Sequence, residues 1–306
     1  MGLNPIFPSW LRKSVRNRLM AVLLLVVVAT VSLATMANML IHLRRMEADL
    51  NGQSVAALHE AQNALLRLSR QAETTARHLA GLSEVRGDLG GPAMENLLDE
   101  ARPLWFLGRV EVFDKNGRRV ATAGFGDGQG QQAATPLDSP ALKNALDLIG
   151  STDFHVDASG LSIKAFAPVL APATMQIEGV VAVSYPVGAT QLTALKDHVR
   201  ADFALRWDAS GRIASTLVDE QGGSVALGLD LPAPGSPERD QAQAVSLGIR
   251  PGPGGSYAMA VASLRDNQGR PVATLMALMN DGSIRQGIRD TTKLVLLSVA
   301  VALLLA

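Results

Sequence analysis

Residues 110–124 read VEVFDKNGRRVATAG. Two short runs of period-two alternation, RVEVF (109–113) and RRVATA (118–123), flank Asp114-Lys115-Asn116-Gly117, which specifies a tight antiparallel hairpin whose glycine takes positive φ. The signature recurs downstream. Val156-Asp157-Ala158-Ser159-Gly160 leads into 161–170, Trp207-Asp208-Ala209-Ser210-Gly211-Arg212 into 213–217, and Asp266-Asn267-Gln268-Gly269-Arg270 into 272–279. Four D-x-x-G hairpins describe antiparallel sheets.

Helical patterns interrupt and precede these strands. Ser139-Pro140 opens a helix over 141–149, and 190–199 separates a strand at 180–185 from one at 203–207. Upstream, 43–79 contains no proline and is rich in Ala, Leu, Gln, Glu and Arg, which predicts one long helix. Leu58, Ala61, Leu65, Leu68, Ala72, Thr75 and Leu79 repeat in 3,4 spacing, a seam that either packs on its own domain or pairs with a second chain. A short helix is expected from Pro92 to Ala101. The Gly- and Pro-rich stretches 124–130, 231–237 and 248–255 read as exposed loops. The order is long helix, strands with an inserted helix, connecting helix, strands again: an α+β chain with two sheet modules.

The two ends are apolar. Residues 19–41 are 23 consecutive positions without a charge, enough to cross a hydrocarbon core of ~30 Å as a helix. Arg12, Lys13, Arg16 and Arg18 precede them, so the N-terminus is expected in the cytoplasm. Residues 294–306 are again uncharged but cover only part of the core, and the chain is expected to continue through the membrane into a cytoplasmic part. Between the spans, 42–293 carries all 28 acidic residues and 24 of the 28 basic ones, a net charge of −4, as an extracytoplasmic domain. The 306 residues balance to zero charge, which excludes the basic face of a nucleic-acid binder, and the absence of cysteine excludes disulfides and thiolate chemistry.

Three stretches carry a family resemblance: VEVFDKNGRRVATAG (110–124), the pair IKAFAPVL and IEGVVAVSYPV (163–170, 177–187), and DFALRWDASGRIASTL (202–217). With the flanking apolar helices they resemble the double Cache sensor domains of bacterial transmembrane receptors, the histidine kinases, cyclases and chemoreceptors. The resemblance implies two PAS-like modules between two transmembrane helices. The boundaries are a cytoplasmic 1–18, a span at 19–41, a long helix at 42–79, a membrane-distal module at 80–187, a membrane-proximal module at 188–283, and 284–306 entering the second span. It implies that the distal module binds a small molecule against its sheet and that the proximal module passes the change on. One departure bears on the ligand. The Tyr, Arg and Trp-Tyr pattern of amino-acid-binding members has no counterpart in 125–152, which lacks Arg, Trp and Tyr, so amino acids are not the expected ligand. Arg109 and Lys164 on strands near aromatic residues point to a small anion, and the resemblance favours organic acids.

No catalytic constellation is legible. His42, His59, His78, His155 and His198 are isolated, no H-x-x-x-H or H-E-x-x-H occurs, and the alternating Gly124, Gly126, Gly128 and Gly130 form neither a dinucleotide fingerprint nor a phosphate loop. No metal or cofactor is expected. The candidate ligand site takes its apolar walls from Trp105, Phe106, Phe154 and Phe166 and its polar tips from Arg109, His155, Lys164 and Tyr185. The favoured reading is a non-enzymatic sensory module in a bacterial inner membrane, with a small-molecule ligand, the lipid bilayer and a second copy of the chain as partners and no nucleic acid. The alternative is a membrane-anchored envelope enzyme or a binding or assembly protein, for which one span would suffice.

Overall fold

The structure, a computed structural model, describes residues 15–87, 89, 96, 98–100, 107–124, 139–157, 160–207, 213–217, 244–252, 255–282, 286–287, 289–293 and 296–297. The chain divides into two compact units, residues 51–279 and the two ends, 1–50 with 280–306. The apolar stretch 19–41 belongs to helix α1 (Val15–Gly81), the one helix among the described residues long and apolar enough to cross a membrane. The expected second span at 294–306 lies almost entirely outside the described residues, as does most of the expected helix from Pro92 to Ala101.

The described residues of the larger unit hold ten strands in two sheets. The first is formed by β1 (Arg109–Asp114), β2 (Arg119–Gly124), β3 (Ser151–Asp157), β4 (Gly160–Leu170) and β5 (Ile177–Val187), in the order β2-β1-β5-β4-β3. The second is formed by β6 (Asp202–Trp207), β7 (Ile213–Ser215), β8 (Val245–Gly252), β9 (Gly255–Arg265) and β10 (Pro271–Asn280), in the order β7-β6-β10-β9-β8. Short helices among the described residues include α2 (Ser83–Gly87), α3 (Pro140–Leu146) between β2 and β3, and α4 (Ala189–Val199) between the two sheets in sequence. The expected α+β architecture is the one observed.

The D-x-x-G signature acts through its aspartate. Asp114 Oδ1 accepts the N–H groups of Asn116 and Arg118, each at 2.8 Å, and Gly117 sits at φ +74°. Asp266 Oδ1 repeats this with Gln268 at 2.9 Å and Arg270 at 2.8 Å, and Gly269 sits at φ +77°. A carboxylate that satisfies two backbone donors fixes the turn, and the turn fixes the register of the strands it joins. A different constraint acts at Gly179 of β5, where a Cβ would stand 2.2 Å from the Phe113 carbonyl oxygen.

The heptad seam of α1 turns inward. Leu58, Ala61, Leu65, Ala72 and Leu79 are buried in one core with the inward residues of both sheets, among them Val112, Ile163, Val183, Phe203, Leu205 and Leu275. Thr75 Oγ1 lies 3.2 Å from the Tyr185 hydroxyl, and Ser69 donates to Thr152 Oγ1 at 2.9 Å. Each buried leucine contributes about 1.5–3 kcal/mol, so the stripe is satisfied within the single chain. The seam thus packs on the chain's own domain, the first of its two readings.

A second correction concerns 248–255, read as a loop. Strand β8 runs through Gly248, Pro251 and Gly252, and β9 begins at Gly255. β8 is an edge strand, with one side unpaired, where a proline removes no ladder hydrogen bond that the sheet needs.

Candidate functional site

Alternation along β1 sends Val110 and Val112 into the core and Arg109, Glu111 and Phe113 to the outer face of the first sheet. On β4, Ser162, Lys164 and Phe166 share that face, and on β3 their direct partners His155, Asp153 and Ser151 do so. Helix α3 packs over part of the face, and Ala141, Leu142 and Ala145 close a small apolar cluster with Phe113, Phe166, Val180 and Ala182. Pro140 in its first turn and the strand β2 before it explain why a helix starts there, since proline is preorganised for that position.

The centre of the face is ionic. Lys164 pairs with Glu111, and Arg119 Nη1 reaches the other carboxylate oxygen at 3.2 Å. Glu111 is 4% exposed and Lys164 6%. The Lys164 ammonium lies 5.9 Å from the ring centroid of Phe113 and 5.6 Å from that of Phe166, so two aromatic faces share its charge with the carboxylate. Burial on its own would raise the Glu111 carboxyl. The charge and hydrogen bond of Lys164, the hydrogen bond of Arg119 and the charge of Arg109 outweigh it and hold the group below its usual range. Three cations thus surround one carboxylate.

Asp153, across the strand pair from Lys164, behaves in the opposite way. Burial pushes its carboxyl above the usual range and the charge of Asp266 adds to this, against the Asn267 N–H, which it accepts at 2.9 Å. That hydrogen bond joins the edge strand of the first sheet to the β9–β10 turn of the second.

The expected site residues divide. Arg109, His155, Lys164 and Phe166 lie on the outer face. Phe154 and Tyr185 share the inner face with Ile163, where Phe154 packs on the core and Tyr185 meets Thr75. Trp105 and Phe106 lie outside the described residues. Sequence reasoning missed Glu111, Phe113, Asp153 and Arg119. The first two were readable as the same-parity partners of Arg109, and Asp153 from the Asp157-Gly160 hairpin, which sets it across from Lys164. Among the described residues there is no group of three His, Asp or Glu placed to hold a metal ion. The arrangement can bind and orient a charged group.

No family model and no curated protein matches the chain. Solved structures do. The sensor domain of the Vibrio cholerae histidine kinase DctB is similar at 15% identity over 77% of this chain and 98% of its own, with a TM-score of 0.46. The ligand-binding domain of the Pseudomonas aeruginosa amino acid chemoreceptor PctC, in complex with GABA, is similar at 17% identity over 77% of this chain and 100% of its own, with a TM-score of 0.41. The Escherichia coli DcuS sensor domain matches 44% of this chain with 95% of its own, at 18% identity and a TM-score of 0.35. The likeness is one of fold, and the matched proteins are sensor domains, the class that the sequence resembles.

Proposed function

We propose that residues 42–293 are the extracytoplasmic ligand-sensing region of a transmembrane receptor whose N-terminus is cytoplasmic, and that the outer face of the first sheet binds a small anion. The observation that carries this reading is the buried Glu111, matched by the three cations Lys164, Arg119 and Arg109. A carboxylate or phosphate entering the face competes with Glu111 for Lys164 and Arg119, so binding is an exchange of partners within a preformed ionic cluster. Such an exchange leaves no ammonium buried alone, and Arg109 remains near Glu111 to offset its charge. The change then passes through the second sheet and along the chain to a cytoplasmic output domain such as a histidine kinase or diguanylate cyclase.

Thermal denaturation of the full chain in lipid nanodiscs tests this with acetate, succinate, citrate and inorganic phosphate as anions and glucose as the neutral control. At 100 times its dissociation constant a ligand adds about 2.7 kcal/mol of stability. At least one anion is expected to raise the midpoint and glucose to leave it unchanged, with the rise lost in Arg119→Ala. Equal stabilisation of the wild type and the variant would overturn the reading.

A further inference from the structure

A second cleft lies at the far end of β4. It encloses about 220 Å³ and is walled by Arg77 of α1, Arg86 of α2, Leu148 and Gly150 of the α3–β3 connection, and Pro168 and Leu170 of β4. The volume is below the ~300–1,000 Å³ of sites for drug-sized ligands, so its occupant is small. Pro168 lies four residues beyond Lys164, about 13 Å along the strand, which separates the cleft from the ionic cluster.

The cleft is cationic at one side. Arg77 pairs with Glu73 and remains 66% exposed. Arg86 gives one N–H, from Nε, to the Ala80 carbonyl at 3.4 Å, and among the described residues no carboxylate pairs with it. A guanidinium carries five donors in a planar fork that matches a carboxylate. With Glu73 counted against Arg77, one positive charge is left over among the described residues.

The other side is apolar and is held in place at a conformational cost. α3 ends with Leu148 N–H donating to the Ala145 carbonyl at 3.1 Å and Ile149 N–H to the Asn144 carbonyl at 2.8 Å, and Leu148 takes φ +66°. That position after a helix is ordinarily filled by glycine, because a Cβ is disfavoured in the left-handed region. A leucine here places a 56% exposed apolar side chain at the cleft where the cap alone needs none.

We propose that this cleft is a second binding site, for a small amphiphilic monocarboxylate whose head group sits on Arg86 and Arg77 and whose hydrocarbon part lies against Leu148, Pro168 and Leu170. Two kinds of wall define the class. A compact anion would use the guanidinium and leave the apolar wall wet.

Isothermal titration of the full chain in nanodiscs, with empty nanodiscs subtracted, tests the proposal with hexanoate as the probe and inorganic phosphate as the compact anion. Hexanoate is expected to bind more tightly than phosphate. Arg86→Gln should weaken hexanoate at least tenfold, about 1.4 kcal/mol, and Arg250→Gln, at an exposed position of β8 outside both sites, should leave it unchanged. Leu148→Gly separates binding from folding: it should weaken hexanoate several-fold while raising the thermal midpoint, because glycine relieves the left-handed leucine. Hexanoate binding that is indifferent to Arg86→Gln, or that survives Leu148→Gly in full, would overturn the proposal, as would a loss of phosphate binding in Arg86→Gln as large as that of hexanoate.

Discussion

The two sheets have one topology and two outer faces. In both, the first strand lies second in the sheet, the last strand is central and the third is an edge. Two of the corresponding pairs are equal in length: β1 and β6 have 6 residues, β4 and β9 have 11. The third residue of the first strand is Glu111 in one sheet and Ala204 in the other, and the fifth residue of the long strand is Lys164 in one and Met259 in the other. Where the first sheet has Ala182, the second has Met276. The outer face of the second sheet is accordingly an apolar cluster of Ala204, Tyr257, Met259, Val261, Met276 and Leu278. The inner faces do not diverge in this way, since both feed one alanine-rich core against α1, with Ala165 and Ala167 answered by Ala260 and Ala262. Inner faces are constrained by the helix they share. Outer faces are free to become different chemistry, and the positions that are ionic at the centre of the first are apolar in the second.

The sharpest way to break the comparison is to remove one charge from the ionic face. Glu111→Ala leaves the Lys164 ammonium buried without its carboxylate and should cost about 3–5 kcal/mol in denaturant unfolding. Converting the face to the composition of the second sheet, with Glu111→Ala and Lys164→Met together, should recover most of that loss, and a double variant no more stable than Glu111→Ala would show that the two faces are not interchangeable.

Gly179→Ala is expected to cost about 1–3 kcal/mol, because its Cβ would collide with the Phe113 carbonyl. The corresponding third residue of β10 is Ala273, facing Trp207 across the pair, and it is fully buried. Ala273→Gly should therefore destabilise rather than relieve. Opposite signs for the two exchanges would confirm that the close approach is private to the first sheet.

Acid separates the two carboxylates of the first sheet. Glu111 is depressed in the folded state, so its contribution is complete above the ordinary carboxylate value and is lost as pH falls through its lowered pKa. Asp153 is raised, so its contribution is complete below its ordinary value and fades as pH rises through the raised one. Unfolding followed from pH 7 downward should show wild type losing stability more steeply than the Glu111→Ala, Lys164→Met double variant. The smallest effect is expected from Asp153→Asn, which keeps an acceptor for the Asn267 N–H and removes a charge that burial disfavours: a slight gain at pH 7 that vanishes in acid.

Much of this fold could be read from local chemistry. The aspartate and glycine of each turn are sufficient to place β1 against β2 and β9 against β10, because the turn geometry is built from adjacent residues. The apolar stripe of α1 was equally plain, but a 3,4 pattern is the same whether a sheet or a second helix lies against it, and only the tertiary structure supplies the partner. β8 was hidden by composition, since an edge strand tolerates the glycines and proline that elsewhere mark a loop. For the candidate site, residue types outran geometry. Phe154 and Tyr185 have the right chemistry for a pocket wall, yet the register set by Asp157 and Gly160 turns both toward α1, while Glu111 looked unremarkable until its cations were seen around it.

The hydrogen bond from Asn267 to Asp153 has a consequence for how the sequence can drift. Its donor is a main-chain N–H, so any residue except proline at 267 can make it, and the side chains of the turn are free to change without loosening the joint. Its acceptor is a single side chain on an edge strand, in the row of residues that faces Lys164. This bond is therefore inherited through one side chain on the Lys164 side and through the backbone alone on the turn side. The residues around Lys164 can change while position 153 keeps an oxygen, and the β9–β10 turn will still be held by the same bond.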